Sequence, residues 1–287
     1  REPTEFLGYC DLEATGVVRW LIREDEDGNP NLVTDGFVGT RLTLITDRTP
    51  FYAEAGGQTT DIGTVTADGL TAKVLNVTKD PAGKYLHLIE IKEGIIKVGQ
   101  TVLMQVEAGR RLATARNHTA THLLQKALRS VVGDHVEQAG SLVTPERLRF
   151  DFTHFQPLNA EQIMEIERIV NQIILNDLQV NTVTVPIEEA RRLGAMALFG
   201  EKYGDNVRVV TVGEMESPFS RELCGGTHLE HTSQAGQLRI ISETGIAAGV
   251  RRIEAVTGLA AYELALAERA ILAKTAALLK TPESQLP

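Results

Sequence analysis

The stretch Arg116-Asn117-His118-Thr119-Ala120-Thr121-His122-Leu123-Leu124 places two histidines four residues apart, and Cys224-Gly225-Gly226-Thr227-His228 follows much farther along the chain. Residues four apart on a helix lie one turn above each other on one face. Three imidazole nitrogens and one thiolate sulfur form a common ligand set for zinc. The two stretches therefore predict a site for one Zn²⁺ ion, with four ligands: His118, His122, Cys224 and His228.

Residues 112–133 predict an amphipathic helix that carries both histidines. At about 100° per residue, His122, Gln125 and Arg129 project within about 40° of His118. The apolar side chains occupy the broad arc on the opposite side. A histidine buried for packing would share that arc, so the pair is either exposed and idle or part of a site. Taken alone, His118 and His122 are more often an exposed pair without function. The second pair, Cys224 and His228, makes a metal site the favoured interpretation.

The chain has 287 residues, which suits two domains better than one core. Its 43% hydrophobic and 23% charged residues are typical of a globular protein. We see no apolar run long enough for a membrane span and no signal peptide, so no membrane partner is expected. Because the first residue is Arg1 and not Met, we expect the chain to be a piece of a longer protein.

The chain contains two cysteines, Cys10 and Cys224, which do not make the disulfide framework of a secreted protein. A reducing, cytoplasmic location fits this usage better. A disulfide between the two remains open at this level, although we expect Cys10 to have no role in the site.

The net charge of −9 argues against bulk attraction to nucleic acid. An RNA partner would have to be held by local basic patches. Each patch taken singly is more often solvated surface. The candidate patches comprise Arg110, Arg111, Arg116, Lys126 and Arg129, then Arg147 with Arg149, and Arg251 with Arg252.

Two styles of sequence meet near residue 105, and together they predict an α+β fold. Residues 1–104 contain short runs rich in Val, Thr and Ile between turn signals, which predict a small β-barrel domain. In residues 105–257, helices and strands alternate, which predicts an α+β domain with the histidine helix against an antiparallel sheet. Residues 258–287 predict a C-terminal helix that leads toward a missing domain.

Within the α+β part, individual segments predict definite elements. Strands are expected at about 135–143 and 147–154, then at 180–185, 207–212, 238–241 and 251–256. A helix is expected to start at Asn159, with Gln162 completing a capping box. The alanine- and leucine-rich residues 259–280 predict the final helix.

The pair Gly56-Gly57, followed by Gln58, lies in the predicted barrel domain. Two glycines allow a backbone with positive φ or the close approach of a partner. A tight turn between strands is the favoured interpretation. A phosphate-binding loop is excluded, since the spacing and the following Lys-Ser/Thr are absent.

Several blocks together resemble bacterial alanyl-tRNA synthetase, in the region between its aminoacylation half and its C-terminal domain. Free-standing deacylases share the barrel, the Gly-Gly motif and both ligand pairs, whereas threonyl-tRNA synthetase shares the zinc ligands without this barrel motif. The blocks cover most of the chain and are residues 51–58, 116–124, 140–143, 194–203, 222–228 and 249–254.

The resemblance implies an aminoacyl-tRNA hydrolase that edits errors. A pocket for alanine discriminates against one added hydroxyl or one missing methyl by only about 1–3 kcal/mol. A second site would therefore hydrolyse serine or glycine from mischarged tRNA(Ala). The chain lacks a recognisable aminoacylation part, so ATP would be used only in the missing part of the parent enzyme. The implied partners are tRNA(Ala) charged with serine or glycine and the rest of the parent chain.

The resemblance also implies roles for single residues. Gln138 matches a position near the editing pocket, where its amide would bond a serine hydroxyl, although an ordinary strand glutamine has almost equal weight. Gln138 and Cys224 are thus the catalytic candidates. Gly56, Gly57 and Gln58 would orient the charged tRNA end. Arg251 and Arg252 would contact phosphates.

Two roles for zinc stay open. Either it lowers the pKa of a bound water, or it anchors the amino group of the substrate and positions the ester, which we favour slightly. Four protein ligands suit a structural ion, so a tRNA-binding module with a purely structural zinc is a real alternative. A free-standing editing deacylase is another. The remaining histidines have no matching partners and are expected to be surface or core residues: His87, His135, His154 and His231.

Overall fold

The structure is a computed structural model that describes residues 2–196 and 204–286. The chain divides into two compact units, residues 1–114 and 115–287. The predicted domain limits at 104 and 257 remain predictions. The strands of the first unit are β1 Glu5–Phe6, β2 Glu13–Glu24, β3 Pro30–Val33, β4 Asp35–Phe37, β5 Arg41–Thr46, β6 Arg48–Thr49, β7 Gly63–Ala67, β8 Leu70–Lys79, β9 Tyr85–Glu93, β10 Ile95–Lys97 and β11 Thr101–Val106.

The first unit is a closed antiparallel barrel, as predicted. Six strands pair in the order β11-β7-β8-β9-β5-β2, and β11 pairs back with β2 to close the sheet. Strand β3 extends the sheet beyond β2, while β1 with β6 and β4 with β10 form two short ladders. Closure leaves no free edge along these six strands, which protects them from pairing with other chains.

Alternating side chains fill the barrel, because successive residues of a strand point to opposite faces. On β8, Leu70, Ala72 and Val74 are buried, and then the phase shifts so that Val77 is the next buried apolar residue. The shift coincides with an irregularity in the β8–β9 register between Val74 and Asn76. An extra residue at such a bulge explains why simple alternation fails there.

His87 is one of the buried polar residues of the barrel unit. Nδ1 of His87 lies 3.0 Å from the carbonyl oxygen of Leu44, and Nε2 lies 2.7 Å from the hydroxyl of Thr49. A neutral imidazole that donates from Nδ1 and accepts at Nε2 satisfies both contacts. Burial of His87 lowers its pKa to about 4, because the cation would lose its hydration.

Arg111 is a buried charged residue of the same unit. Its guanidinium forms an ion pair with Asp61 and donates to the carbonyl oxygens of Gly8 and Pro50. Asp61 also accepts the backbone N–H of Tyr52 at 2.7 Å. The assignment of Arg111 to a basic surface patch is therefore wrong: its side chain is buried and saturated with partners.

The second unit combines helices with two antiparallel sheets. Strands β12-β13-β18-β17 form one sheet and β14-β15-β16 the other. The helix α1, which carries both histidines, begins at Ala108. The elements are α1 Ala108–Val132, β12 Gln138–Val143, β13 Leu148–Thr153, α2 Ala160–Leu175, β14 Val180–Pro186, α3 Ile187–Arg192, β15 Asn206–Gly213, β16 Pro218–Leu223, β17 Leu238–Ala247, β18 Val250–Thr257 and α4 Gly258–Leu279, with short 3₁₀ turns at Thr232–Ala235 and Glu283–Gln285.

One hydrophobic core joins α1 and α2 to these sheets. Leu123, Leu124 and Leu128 of α1 pack with Phe150 and other strand residues in this cluster. Helix α2 contributes Ile166, Val170 and Ile174. The α+β class is confirmed.

The cap predicted for α2 is present. The side chain of Asn159 accepts the backbone N–H of Gln162, and the Gln162 side chain accepts the N–H of Asn159. Helix α4 is also present, although Ala261 and Ala276 are its buried residues. The sequence did not predict β16 or α3, both of which are short and lack a clear period.

The hairpin of β17 and β18 is longer than predicted. Its strands pair from Leu238 with Thr257 to Ala247 with Val250. The two-residue connection contains Gly249 with a φ of +71°, which a glycine adopts without strain. Polar residues in the second half of β17 hide the alternation on which the prediction depended.

Among the helices of residues 2–196 and 204–286, none is long and apolar enough to cross a bilayer.

Candidate metal centre

The structure brings the four predicted metal ligands together. One ligand atom from each of His118, His122, Cys224 and His228 lies within 4.8 Å of all the others. The Cys224 sulfur is 3.3 Å from Nε2 of His118 and 3.3 Å from Nε2 of His228. Ligand atoms of a tetrahedral zinc site lie roughly 3.3–3.6 Å apart, given the usual zinc–nitrogen and zinc–sulfur bond lengths. The cluster is therefore close to the dimensions that zinc requires.

Two chain segments supply the ligands. His118 and His122 project from consecutive turns of α1, with their rings stacked at a centroid distance of 5.5 Å. Cys224 follows β16 directly, and two glycines lead from it toward His228. The His228 ring lies 4.5 Å and 5.0 Å from the rings of His118 and His122, measured between centroids.

The histidine face of α1 is covered, contrary to the exposed and idle alternative. His118 and His122 are 6% and 7% exposed. The helix packs its apolar arc into the core, and the residues around Cys224 cover the opposite face. The helical wheel correctly places the histidines opposite the apolar side chains of α1. It does not show that other parts of the protein cover both faces of the helix.

Side chains behind the ligands fix two of the imidazoles. A carboxylate oxygen of Glu222 lies 2.5 Å from Nδ1 of His122, and the Thr119 hydroxyl lies 3.2 Å from Nδ1 of His228. Thr119 also accepts the backbone N–H of Leu229. With Nδ1 engaged, Nε2 of each ring is left for the centre. Metal-bound histidines commonly have such partners.

Sequence reasoning missed Glu222 and Thr119. One signal was available for Glu222: it lies two residues before Cys224, on the same face of an extended segment. Nothing comparable marks Thr119, whose partner follows from the fold.

The cluster strongly perturbs its own ionisation. Burial alone would raise the pKa of the Cys224 thiol, but the three neighbouring imidazoles lower it well below its ordinary value. Burial would likewise lower the pKa of His122, yet the charges of Glu222 and Cys224 raise it well above the usual range. Burial lowers the pKa of His228 to about 3, with Cys224 opposing the shift. A thiolate beside a neutral imidazole suits a metal cation.

A second observation supports the fit of these residues to zinc. Nε2 of His122 is a buried polar atom with no hydrogen-bond partner among the described residues. Such an atom costs free energy unless something binds it. Cys224 and His228 are partly exposed and Gly225 is exposed, so one side of the cluster is open to solvent.

Gln138, the other catalytic candidate, is the first residue of β12. It pairs with Phe152, and the register is irregular between Gln138 and Gly140. Its amide donates to the hydroxyl of Ser141 at 3.3 Å. Its role toward a substrate stays a prediction.

The Gly-Gly motif forms the predicted tight turn. Gly56 and Gly57 have φ angles of +58° and +79°, as in a type I′ turn. The backbones of Ala55 and Gln58 exchange hydrogen bonds of 3.0 Å and 3.3 Å across it. The Gln58 side chain is fully buried, so the glycines are the part of the motif that a partner reaches. The role of these three residues toward tRNA remains a prediction.

The arginines expected to contact phosphates are engaged in ion pairs. Arg251 binds both carboxylate oxygens of Glu243 at 2.6 Å, and Arg252 binds Asp151 at 2.7 Å and 2.8 Å. A phosphate contact would have to use their remaining N–H groups, so this role also stays a prediction.

The other basic candidates are also engaged, with one exception. Lys126 is exposed and forms no ion pair among the described residues. The remaining contacts are Arg116 with the carbonyl oxygen of Gln234, Arg129 with Val136 and Asp134, Arg147 with Glu254, and Arg149 with Asp151.

Two histidines expected to have no partner are paired. Nε2 of His135 lies 3.0 Å from Nδ1 of His154. His231 lies 3.4 Å from Asp177, and His87 belongs to the barrel core. Cys10 and Cys224 are both free thiols. Within the resemblance block 194–203, residues 197–203 lie outside the part that the structure describes.

Comparisons with known proteins agree with the barrel and the cluster. Residues 1–110 match the family described as tRNA synthetases class II (A). Residues 207–254 match the second additional domain of threonyl and alanyl tRNA synthetase. The fold and the cluster thus define a part of a class II aminoacyl-tRNA synthetase.

Individual relatives narrow this class. An alanine–tRNA ligase of Acetivibrio thermocellus is 53% identical over 98% of this chain, and one of Alkaliphilus oremlandii is 49% identical over 97%. One of Listeria monocytogenes serotype 4b is 47% identical over the whole chain. The chain belongs to the alanine–tRNA ligase family. It spans 31–32% of the length of these relatives.

Proposed function

We propose that this chain is an editing module, which hydrolyses the ester that joins serine or glycine to the terminal ribose of tRNA(Ala). The observation that carries the proposal is the cluster of three histidines and Cys224, which is held from behind and open to solvent on one side. In the overall reaction, water supplies its hydroxyl to the acyl carbon, the ester C–O bond breaks, and the ribose oxygen takes the proton.

His118, His122, Cys224 and His228 would hold one Zn²⁺ ion. When bound, zinc supplies positive charge that stabilises a developing negative charge or orients a donor group of the substrate. The thiolate contributes a negative charge from the protein, which favours an amino group of the substrate nearby.

The protein's own residues prepare the centre. The Glu222 carboxylate keeps the His122 ring in one orientation, and Thr119 does the same for His228. Since both partners are buried, these orientations are fixed before a substrate arrives. The partly exposed side of Cys224 is where a substrate would approach.

Substrate selection would use polar groups that alanine cannot satisfy. We include Gln138 here, with its amide available to bond a serine hydroxyl. The turn at Gly56 and Gly57, with Gln58 beneath it, would contact the tRNA end. Arg251 and Arg252 would contact phosphates through the N–H groups that their carboxylate partners leave free.

The test is release of serine from Ser-tRNA(Ala) by the zinc-loaded chain, with Gly-tRNA(Ala) and Ala-tRNA(Ala) in parallel. We expect release of serine and glycine and retention of alanine. Cys224→Ala and His118→Ala should abolish release. Cys10→Ala is the matched control, because it removes the other, exposed thiol and should change nothing.

The outcome also decides between this function and a binding module with a structural zinc. Binding of tRNA without any release of serine would contradict the proposal and favour the module. Release that survives both ligand substitutions would contradict a metal-dependent site.

A further inference from the structure

Two histidines that the proposed function does not use meet at the surface of the second unit. Nε2 of His135 lies 3.0 Å from Nδ1 of His154, and the ring centroids are 5.2 Å apart. His135 lies in the connection between α1 and β12, and His154 directly follows β13. Since α1 continues from His122 to Val132, roughly 15 Å of helix lies between the metal centre and this connection. His135 is exposed and His154 is half-buried, so solutes reach the pair.

The residue before His154 holds the backbone of His135. The Thr153 hydroxyl donates to the carbonyl oxygen of His135 at 2.8 Å and accepts the backbone N–H of Glu137 at 3.0 Å. His154 itself donates its backbone N–H to the carbonyl oxygen of Gly249 at 2.9 Å. The two backbones are therefore fixed relative to each other, and rotation of the side chains is what remains to adjust the rings.

A glycine makes room for the ring of His135. Gly133 has a φ of +132°, and a Cβ added there would lie 3.0 Å from Nδ1 and 3.2 Å from Cε1 of His135. The ring thus lies against bare backbone on one side, while its Nε2 faces His154. This packing limits the positions that the exposed imidazole can adopt.

The charges around the pair favour a neutral imidazole at His154. Burial is the main cause that lowers its pKa, His135 and Arg251 lower the pKa further, and Glu243 opposes the shift. Arg251 and Glu243 form an ion pair at 2.6 Å, so their charges largely cancel near the histidines. A neutral imidazole offers a lone pair to a metal cation, whereas a protonated imidazole does not.

We propose that His135 and His154 form a second metal site, which binds a divalent ion such as Ni²⁺ or Cu²⁺ at the protein surface. With metal–nitrogen bonds of about 2.0–2.1 Å, two nitrogens 3.0 Å apart subtend roughly 90–100° at the ion. This angle separates neighbouring ligands in square-planar or octahedral coordination, whereas a tetrahedral zinc ion requires about 109°. Square-planar and tetragonal nitrogen sites are typical of Cu²⁺ and Ni²⁺. The surface pair therefore prefers a different metal from the zinc cluster.

Water completes the coordination of this ion. Within residues 2–196 and 204–286, no third His, Cys, Asp or Glu joins the pair in a group of metal ligands. Two protein ligands leave the ion exchangeable, and small rotations of the rings turn both lone pairs toward it. Because the ion joins the segment before β12 to the end of β13, its binding stabilises the folded unit.

Ni²⁺ is the probe, titrated by calorimetry into the zinc-loaded chain, because it does not oxidise the free thiols as Cu²⁺ does. We expect one Ni²⁺ per chain, with the zinc content unchanged in elemental analysis. His135→Ala and His154→Ala should each abolish this binding. His231→Ala is the matched control, because His231 is another partly exposed histidine, paired with Asp177, and its loss should change nothing.

Thr153→Val tests the anchoring with both imidazoles intact. It removes the hydroxyl that holds the backbone of His135 and should weaken Ni²⁺ binding about tenfold or more, as loss of an outer partner of a metal ligand does. Thermal unfolding gives a second readout: Ni²⁺ should raise the midpoint for the unsubstituted chain and for His231→Ala, and for neither variant of the pair.

Three results would overturn the proposal. The first is no binding of Ni²⁺, and the second is binding that survives either substitution in the pair. The third is nickel found in place of zinc. A second equivalent of Zn²⁺ should bind more weakly than Ni²⁺, and equal or tighter binding of Zn²⁺ would overturn the assigned geometry.

Discussion

Both units bury ionisable side chains, but they differ in whether the buried polar atoms have protein partners. In the barrel, His87 and Arg111 have protein partners for their buried polar atoms. In the second unit, three histidines meet around the Cys224 thiol, and Nε2 of His122 has no hydrogen-bond partner within residues 2–196 and 204–286. Buried side chains whose polar atoms all have protein partners stabilise the fold, since removal of one partner leaves a buried charge or dipole unpaired. A buried polar atom that no described residue satisfies, in a cluster of metal-ligand side chains, indicates that a ligand completes the site.

We expect the largest change in the free energy of unfolding from loss of the buried Arg111–Asp61 ion pair in the barrel. Asp61→Asn removes the charge that Arg111 needs while keeping the shape of the side chain. Breaking a buried ion pair from one side should lower the free energy of unfolding by about 3–5 kcal/mol. Urea unfolding followed by the emission of Trp20 measures this effect in the first unit, because Trp20 is the chain's single tryptophan. A loss below about 1 kcal/mol, the value of an exposed pair, would contradict the structural role.

A second prediction concerns acid and the same unit. The pKa of His87 is about 4 in the fold and 6.5 ordinarily. Above pH 6.5 both states are neutral and nothing is lost. As the pH falls from 6.5 toward 4, the unfolded chain binds a proton that the fold resists, so stability decreases. Between about pH 7.5 and about pH 5 the loss should be about 2 kcal/mol. His87→Leu should flatten this dependence; an unchanged slope would refute it.

A third prediction addresses the positioning of the metal ligands. Glu222→Gln keeps the size of the side chain but removes the charge beside His122. Loss of such a partner typically weakens metal affinity or activity about 10- to 100-fold. Competition with a zinc-binding dye measures the affinity, and Glu230→Gln is the control because Glu230 is exposed nearby. Equal affinities of the two variants would mean that Glu222 does not hold the ring.

Features that depend on local sequence were predictable, and features that depend on contacts between distant segments were not. The spacing of His118, His122, Cys224 and His228 was sufficient to predict the cluster, because ligand type and helical periodicity are local properties. The barrel and the capping box at Asn159 were predictable for the same reason. Burial of the histidine face, the partner Glu222 and the pairing of Arg111 with Asp61 were not, since each depends on contacts between distant parts of the chain.

Basic residues illustrate the same limit. Arg251 and Arg252 read as an open patch, yet each faces a carboxylate on a neighbouring strand. Strand register decides these pairs, and a sequence does not state its register. Lys126 alone among the basic candidates combines exposure with the absence of an ion pair in the described part of the chain.

The most direct test of the central claim combines metal content with catalysis in one preparation. Elemental analysis of the purified chain should find one zinc per molecule. Removal of zinc with a chelator should reduce the release of serine from Ser-tRNA(Ala) by at least about a hundredfold, since a metal supplies several kcal/mol to such a reaction. Added zinc should restore it. Release of serine by the zinc-free protein at the same rate as by the zinc-loaded protein would contradict a zinc-dependent editing site.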